Sequence, residues 1–170
     1  FFQADDGIRD SVASRGLGDV YKRQHKIYMN EVNSEIEKTI SNINKTWGGN
    51  FKIEIISEWK KIIKERKNAG VKIVHLTMYG QNINNVEIKI RNEGKILIVV
   101  GAEKVPREIY EIADYNVAVG NQPHSEISAL SVLLDRIHQG KQFESNFDNP
   151  ERVIIPQEHG KNVVANKTTD

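Results

Sequence analysis

The sequence predicts an α/β domain built on a mainly parallel sheet with helices on both faces. Three observations carry that prediction. Short apolar runs alternate with stretches of helical period, the rhythm of strand–helix–strand units. The run Ile96-Leu97-Ile98-Val99-Val100 is apolar at every position, as a central strand covered on both faces requires. A chain of 170 residues suffices for one domain with its own core and falls short of two.

Residues 26–30 read as a short strand. Val32, Ile36, Ile40, Ile43 and Trp47 then form the stripe of an amphipathic helix, which Gly48-Gly49 ends. Residues 51–56 alternate as a strand. Ser57 is placed to cap the next helix, where Trp59, Ile62, Ile63 and Arg66 share a face and Asn68-Ala69-Gly70 brings the stop. Residues 71–76 form a third strand and 77–82 a loop. Residues 83–92 admit two readings. Val86, Ile88 and Ile90 alternate with charged residues like an edge strand, whereas the strand–helix rhythm asks for a helix. After the central strand, 101–105 is an exit loop and Pro106 suits the first position of a helix reaching about Ala113. Residues 116–119 form a short buried strand and 120–123 a loop. Ser125 caps a helix carrying Ile127, Leu130, Leu133, Leu134 and Ile137 before Gly140. A polar link over 142–151 leads to a last strand, 152–155, which Pro156 ends, and 161–170 reads as a loose tail.

Composition excludes several function classes. With 24 basic and 23 acidic side chains, net charge +1, the chain does not hold nucleic acid by bulk charge; recognition of RNA has to come from a local patch. The absence of cysteine removes disulfides, Cys-ligated zinc and thiol nucleophiles. The longest apolar run, 96–102, is well short of the roughly 18 residues of a membrane span. With no signal-like start, the expected location is the cytoplasm.

Ligands of open α/β sheets gather at the carboxyl ends of the strands. Three exit loops stand out there, 76–82, 101–105 and 120–125, rich in Gly, Asn, Gln, His and Ser. Gly101 and Gly120 would admit a ligand close to the backbone or supply positive φ. No Gly-x-Gly-x-x-Gly opens a helix and no Gly-x-x-x-x-Gly-Lys-Ser/Thr occurs, so the main marks of Rossmann and P-loop nucleotide sites are missing. A metal site from His124, Glu126 and His159 would need all three ligands to converge, and the first two point differently from a helix start. A Ser125/His124/Asp135 triad lacks the elbow motif. His75, inside an apolar strand, reads as a core histidine with its hydrogen bonds satisfied. Lys60, Lys61, Lys64 and Lys67 read as a solvated helix face.

The run Gly101-Ala102-Glu103-Lys104-Val105-Pro106-Arg107-Glu108-Ile109-Tyr110, followed by Ala113-Asp114-Tyr115-Asn116-Val117-Ala118-Val119-Gly120-Asn121-Gln122-Pro123-His124-Ser125-Glu126, closely resembles the archaeal tRNA (cytidine(56)-2′-O)-methyltransferases of the SPOUT superfamily. His75-Leu76-Thr77-Met78-Tyr79-Gly80, Ile155-Pro156-Gln157 and Trp47-Gly48-Gly49 extend the likeness over nearly all of 26–165. The resemblance implies an α/β domain with a deep trefoil knot near the C-terminus, a homodimer, and S-adenosylmethionine held in the knot. It implies methylation of the ribose of cytidine 56 in the tRNA T-loop, with no metal, since the donor's methyl is already activated. The cofactor residues it implies are Leu76; Gly101, Ala102, Glu103, Lys104 and Val105; and Val119, Gly120, Asn121, Gln122, Pro123, His124, Ser125 and Glu126. Two alternatives stand beside it: a SPOUT 2′-O-methyltransferase acting on another RNA, and a catalytically silent dimeric RNA-binding module.

The beginning of the chain departs from that pattern. Ser14-Arg15-Gly16-Leu17-Gly18-Asp19-Val20-Tyr21-Lys22-Arg23-Gln24 resembles the in-frame translation of a transposon-type sequencing-library adapter. It has no sustained apolar period, and no apolar strand precedes Gly16-Leu17-Gly18 to make a phosphate loop of it. Residues 1–24 are therefore expected to be a disordered chimeric segment, and 25–170 the methyltransferase domain without its first strand–helix unit. In the family that unit carries an Arg/His-rich motif. Arg9, Arg15 and Arg23 do not sit in such a motif, so the resemblance assigns no catalytic residue here.

Overall fold

The computed structural model describes residues 16–21, 23–29, 35–101, 105–144 and 147–166. Strands β1 (Gly16–Tyr21), β2 (Arg23–Met29), β3 (Lys52–Ile55), β4 (Lys72–Asn82), β5 (Ile96–Val100) and β6 (Tyr115–Ala118) form one sheet in the order β3-β2-β1-β5-β4-β6. The pairs β2/β3, β4/β5 and β4/β6 are parallel. β1 is antiparallel to both of its neighbours. The helices are α1 (Glu35–Trp47), α2 (Trp59–Asn68), α3 (Ile83–Arg91), α4 (Arg107–Ile112) and α5 (Glu126–His138).

Alternation along β4 and β5 feeds two cores. Val74, Leu76, Ile96 and Ile98 pack with Ile83, Val86 and Ile90 of α3 and with Ala129, Leu130 and Leu133 of α5. Ile73, Leu97 and Val99 point the other way, onto Trp59 and Ile63 of α2 and Ile109 of α4. An apolar run thus becomes a strand buried on both faces, and the helices divide between the two sides. Ile27 and Met29 of β2 pack with Ile36 of α1 and Ile53 of β3. Asp114 ties the entry of β6 to β4 twice: its N–H donates to the Ile73 carbonyl at 2.9 Å, and its Oδ2 accepts from the Ile73 N–H at 2.8 Å.

Several expectations are corrected. Gly16–Tyr21 and the start of β2 are strands, where 1–24 was expected to be disordered; residues 1–15 and 22 lie outside the described residues. Backbone pairing explains the difference. β2 and β5 each offer a free ladder, and pairing with them needs no apolar period. The 77–82 segment continues β4 rather than leaving the sheet as a loop. Residues 83–92 resolve to a helix because Asn82 Oδ1 caps it, accepting from the Asn84 N–H at 3.0 Å, while Val86 and Ile90 bury one turn apart and Ile88 faces solvent. Ser57 does not cap α2; the position before that helix is Glu58, with no side-chain cap bond. The last predicted strand, β7 (Arg152–Ile154), stays out of the main sheet and pairs antiparallel with β8 (Val163–Ala165), inside the expected loose tail. A 3-10 turn, Lys141–Glu144, occupies part of the polar link.

Candidate functional site

The site grows out of an excursion in β4. Val117 of β6 stands opposite both Leu76 and Gln81, so residues 77–80 bulge from the ladder. Gly80 makes the bulge possible. A Cβ there would lie 2.5 Å from the Asn116 carbonyl carbon and oxygen and from the Val117 nitrogen. The loop after β6 clasps the excursion, as Asn121 Nδ2 donates to the Met78 carbonyl at 2.8 Å and the Gly80 carbonyl at 3.3 Å.

Beside this bulge the exits of β4, β5 and β6 enclose a cavity of about 220 Å³. β4 lines it with His75, Leu76, Thr77, Met78 and the exposed Tyr79. Gly101, Val105 and Tyr110 form one wall, and Pro123, His124, Glu126 and Ala129 the other. Pro123, His124 and Glu126 are exposed and mark the mouth.

The His75 side chain is fully buried. Its Nδ1 meets Asn116 Oδ1 at 2.8 Å, and Asn116 Nδ2 donates to the Tyr110 carbonyl at 2.8 Å. The Tyr110 ring stands edge-on to the imidazole at 4.7 Å, and its hydroxyl lies 3.4 Å from Thr77 Oγ1. Burial pushes the His75 imidazole below its usual pKa, with the Asn116 bond opposing. The expectation of a satisfied core histidine is half met: Nε2 is buried and has no hydrogen-bond partner.

Of the residues expected to hold a cofactor, Leu76, Gly101, Val105, Pro123, His124 and Glu126 line the cavity. Ala102, Glu103 and Lys104 lie outside the described residues. Val119 packs against the α3/α5 core. Ser125 caps α5, its Oγ accepting from the Ser128 N–H at 3.4 Å, and Asn121 holds the bulge. Gly120 and Gln122 are not in the cavity wall. Neither Gly101 nor Gly120 has positive φ. Gly101 is needed for space, because a Cβ there would lie 2.3 Å from Val105 Cγ2, but at Gly120 the nearest atom would be His124 Cδ2 at 3.9 Å. The triad does not form: Ser125 is a cap, and Asp135 accepts from Gln142 Nε2 at 2.9 Å. His159 pairs with its neighbour Glu158 instead of joining His124 and Glu126. Among the described residues no three His, Asp or Glu side chains gather as a metal site. On α2, Lys60 pairs with Glu108, and Lys67 reaches Asp114 and the Ile112 carbonyl.

Sequence reasoning missed Tyr110 and Ala129. Tyr110 arrives from α4 across a distance in sequence that no local pattern reports. Ala129 stands one turn into α5 beyond Glu126, a position that helical period places beside the cavity.

A family model described as tRNA ribose 2′-O-methyltransferase, aTrm56, matches residues 47–164. The chain belongs to this family. The matched span contains every residue of the cavity wall, so the site lies within the part of the chain that makes it a tRNA ribose 2′-O-methyltransferase family member. Relatives include the tRNA (cytidine(56)-2′-O)-methyltransferase of Nitrosopumilus maritimus, 56% identical over 168 residues, covering 98% of this chain and 92% of the relative. Proteins of the same name from Thermococcus kodakarensis and Methanocaldococcus jannaschii are 51% identical over 79% of this chain and 76% of theirs, and 45% identical over 92% and 86%. The Nitrosopumilus alignment leaves only about three residues of this chain uncovered. It therefore reaches into residues 1–24, earlier than the start near Lys26 that the motifs imply.

Proposed function

We propose that this chain transfers a methyl group from S-adenosylmethionine to the ribose 2′-oxygen of cytidine 56 of tRNA, the reaction for which its relatives are named. The observation that carries this is the convergence of three strand exits on one cavity inside the family-matched span. When bound, S-adenosylmethionine supplies an already activated methyl, so no metal is called for.

The residues present fit such a cofactor. Leu76, Met78, Val105 and Ala129 offer apolar wall, and Glu126 stands exposed at the mouth. The cavity is smaller than the roughly 300–1,000 Å³ of sites that engulf a drug-sized ligand, which leaves part of the cofactor in the open mouth beside His124 and Glu126. Gly101 makes room for the Val105 side chain in the cavity wall, since a Cβ there would lie 2.3 Å from Val105 Cγ2. With a donor bound, the apolar wall would keep water from its methyl, and transfer to the ribose oxygen in line with the sulfonium would leave S-adenosylhomocysteine and release the hydroxyl proton.

Residues 25–170 are read as the methyltransferase domain, with the SPOUT knot toward its C-terminal part and a homodimer as its assembly. Among the described residues no helix is long and apolar enough to cross a membrane. The test is methyl transfer from labelled donor to tRNA transcripts, followed by mass-spectrometric mapping of the modified ribose. The methyl is expected on cytidine 56. A methyl on another ribose would favour a different RNA target, and none from a folded, donor-binding chain would favour the silent RNA-binding module.

A further inference from the structure

The bulge of β4 presents one aromatic ring to solvent. Tyr79 lines the cavity yet keeps 73% of its surface exposed, so it belongs to the mouth, as His124 and Glu126 do. Its backbone is held from both sides. Asn121 Nδ2 donates to the carbonyls of Met78 and Gly80, the residues before and after it, and the Tyr79 N–H donates to Thr77 Oγ1 at 3.4 Å. The Tyr110 ring, centred 6.5 Å away and tilted by 53°, packs beside it. A ring this exposed adds little to the core, while Gly80 and Asn121 together fix the backbone that carries it.

We propose that Tyr79 is an RNA-binding residue, its ring the platform on which the base of the target nucleotide stacks while that nucleotide's ribose enters the mouth. This rests on the tRNA-methylation reading above. The charge of the site selects this part of an RNA. Among the described residues that line the cavity there is no lysine or arginine, and the one carboxylate, Glu126, repels phosphate. What the mouth offers an RNA is therefore an aromatic face, and unpaired bases are held on such faces whatever their sequence. The position also suits the reaction. A base and its own ribose are one glycosidic bond apart, so a base resting at the mouth sets its ribose at the entrance, where the methyl has to be met. A ring whose backbone is fixed before binding loses little freedom when the base settles on it. The donor's adenine is the other base near this ring. An RNA arrives from solvent, and most of the Tyr79 surface faces that approach rather than the interior of the cavity.

Three measurements on the full chain test this with a tRNA transcript. In the first, with S-adenosylhomocysteine present, Tyr79→Ala is expected to bind the transcript about tenfold more weakly, roughly 1.4 kcal/mol and the order of one stacked base. Tyr79→Phe and Tyr79→Trp keep a stacking face and are expected to bind within about twofold of wild type. In the second, the slope of log affinity against log salt is expected to be the same for wild type and Tyr79→Ala, because no phosphate contact is lost. In the third, the emission that Tyr79→Trp adds to that of Trp47 and Trp59 is expected to be quenched by the transcript and unmoved by S-adenosylhomocysteine alone. A folded Tyr79→Ala that binds the transcript as wild type does would overturn the proposal. So would Tyr79→Phe losing as much as Tyr79→Ala, which would make the hydroxyl the contact, or a salt slope that falls in Tyr79→Ala. Emission that answers to S-adenosylhomocysteine and not to the transcript would put the ring against the donor's adenine instead. In all of these wild type still binds tRNA, and the functional reading stands. A wild type that binds the cofactor but no tRNA would remove that reading and the role of Tyr79 with it. Should Tyr79→Ala not fold, the emission of Tyr79→Trp still decides.

Discussion

At the scale of single residues, two glycines reverse the roles that composition suggests. Gly120 sits in the most conspicuous loop, yet a Cβ there meets nothing closer than 3.9 Å. Gly80 carries no obvious mark, and a Cβ there would strike the backbone of Asn116 and Val117 at 2.5 Å. Gly80→Ala is expected to cost about 1–3 kcal/mol, since backbone on both sides has to move, and Gly120→Ala to stay within about 0.5 kcal/mol. Denaturant unfolding of the two variants checks both, and equal midpoints would contradict the geometry. His75 and His138 supply a pH test. Burial lowers both pKa values from 6.5, so below about pH 6.5 the unfolded chain binds more protons than the folded one. Stability should be full above that pH and fall as the pH drops from 6.5 toward the folded-state values. Urea midpoints at pH 7.5 and 5.5 measure this; a midpoint at pH 5.5 equal to or above that at 7.5 would contradict it. The Gly80 contact was not legible in the sequence, because it depends on Asn116, which reaches Gly80 only through the pairing of β4 and β6; the burial of His75 was legible, from its place inside an apolar strand.

Elements were more legible than contacts. Apolar runs and helical stripes placed β3, β5, β6 and all of the helices but one, because burial and period leave a direct trace in composition. The exception, α3, was ambiguous because Val86, Ile88 and Ile90 alternate; in a helix, Val86 and Ile90 share the buried face and Ile88 does not. The exit loops were recognisable by composition and the structure brings them to one cavity, but which of their residues line it was not legible, since Asn121 and Ser125 spend their polar groups on holding the bulge and capping α5. The β5 exit gives the sharpest prediction at this scale. Gly101→Ala places a methyl within 2.3 Å of Val105 Cγ2, and both residues line the cavity. Affinity for S-adenosylhomocysteine should drop at least about fivefold, and Val105→Ala in the same chain should recover most of it. Undiminished binding by Gly101→Ala would show that this exit does not shape the site.

For the whole molecule, the sheet order is decisive. β1 lies between β2 and β5 and, among the described residues, is the only strand that connects β2 and β3 to β5, β4 and β6. Nothing in the composition of residues 16–21 announces that, because the link is made by backbone hydrogen bonds. Deleting residues 1–24 exposes two ladder edges in the middle of the sheet, so thermal unfolding of the remaining chain should begin several degrees lower than in the full chain. An unchanged midpoint would mean that the segment is dispensable and that β2 and β3 hold without it. The cavity is built from the exits of β4, β5 and β6. Its ligand chemistry is therefore expected to be less sensitive to this deletion than the stability is.

The most direct test is a calorimetric titration of S-adenosylmethionine into the full 170-residue chain. Saturable binding at one site per chain, weakened by Gly101→Ala, is the result predicted if the exits of β4, β5 and β6 form the cofactor site. A well-folded chain that takes up no cofactor, or one whose affinity Gly101→Ala leaves untouched, would contradict it.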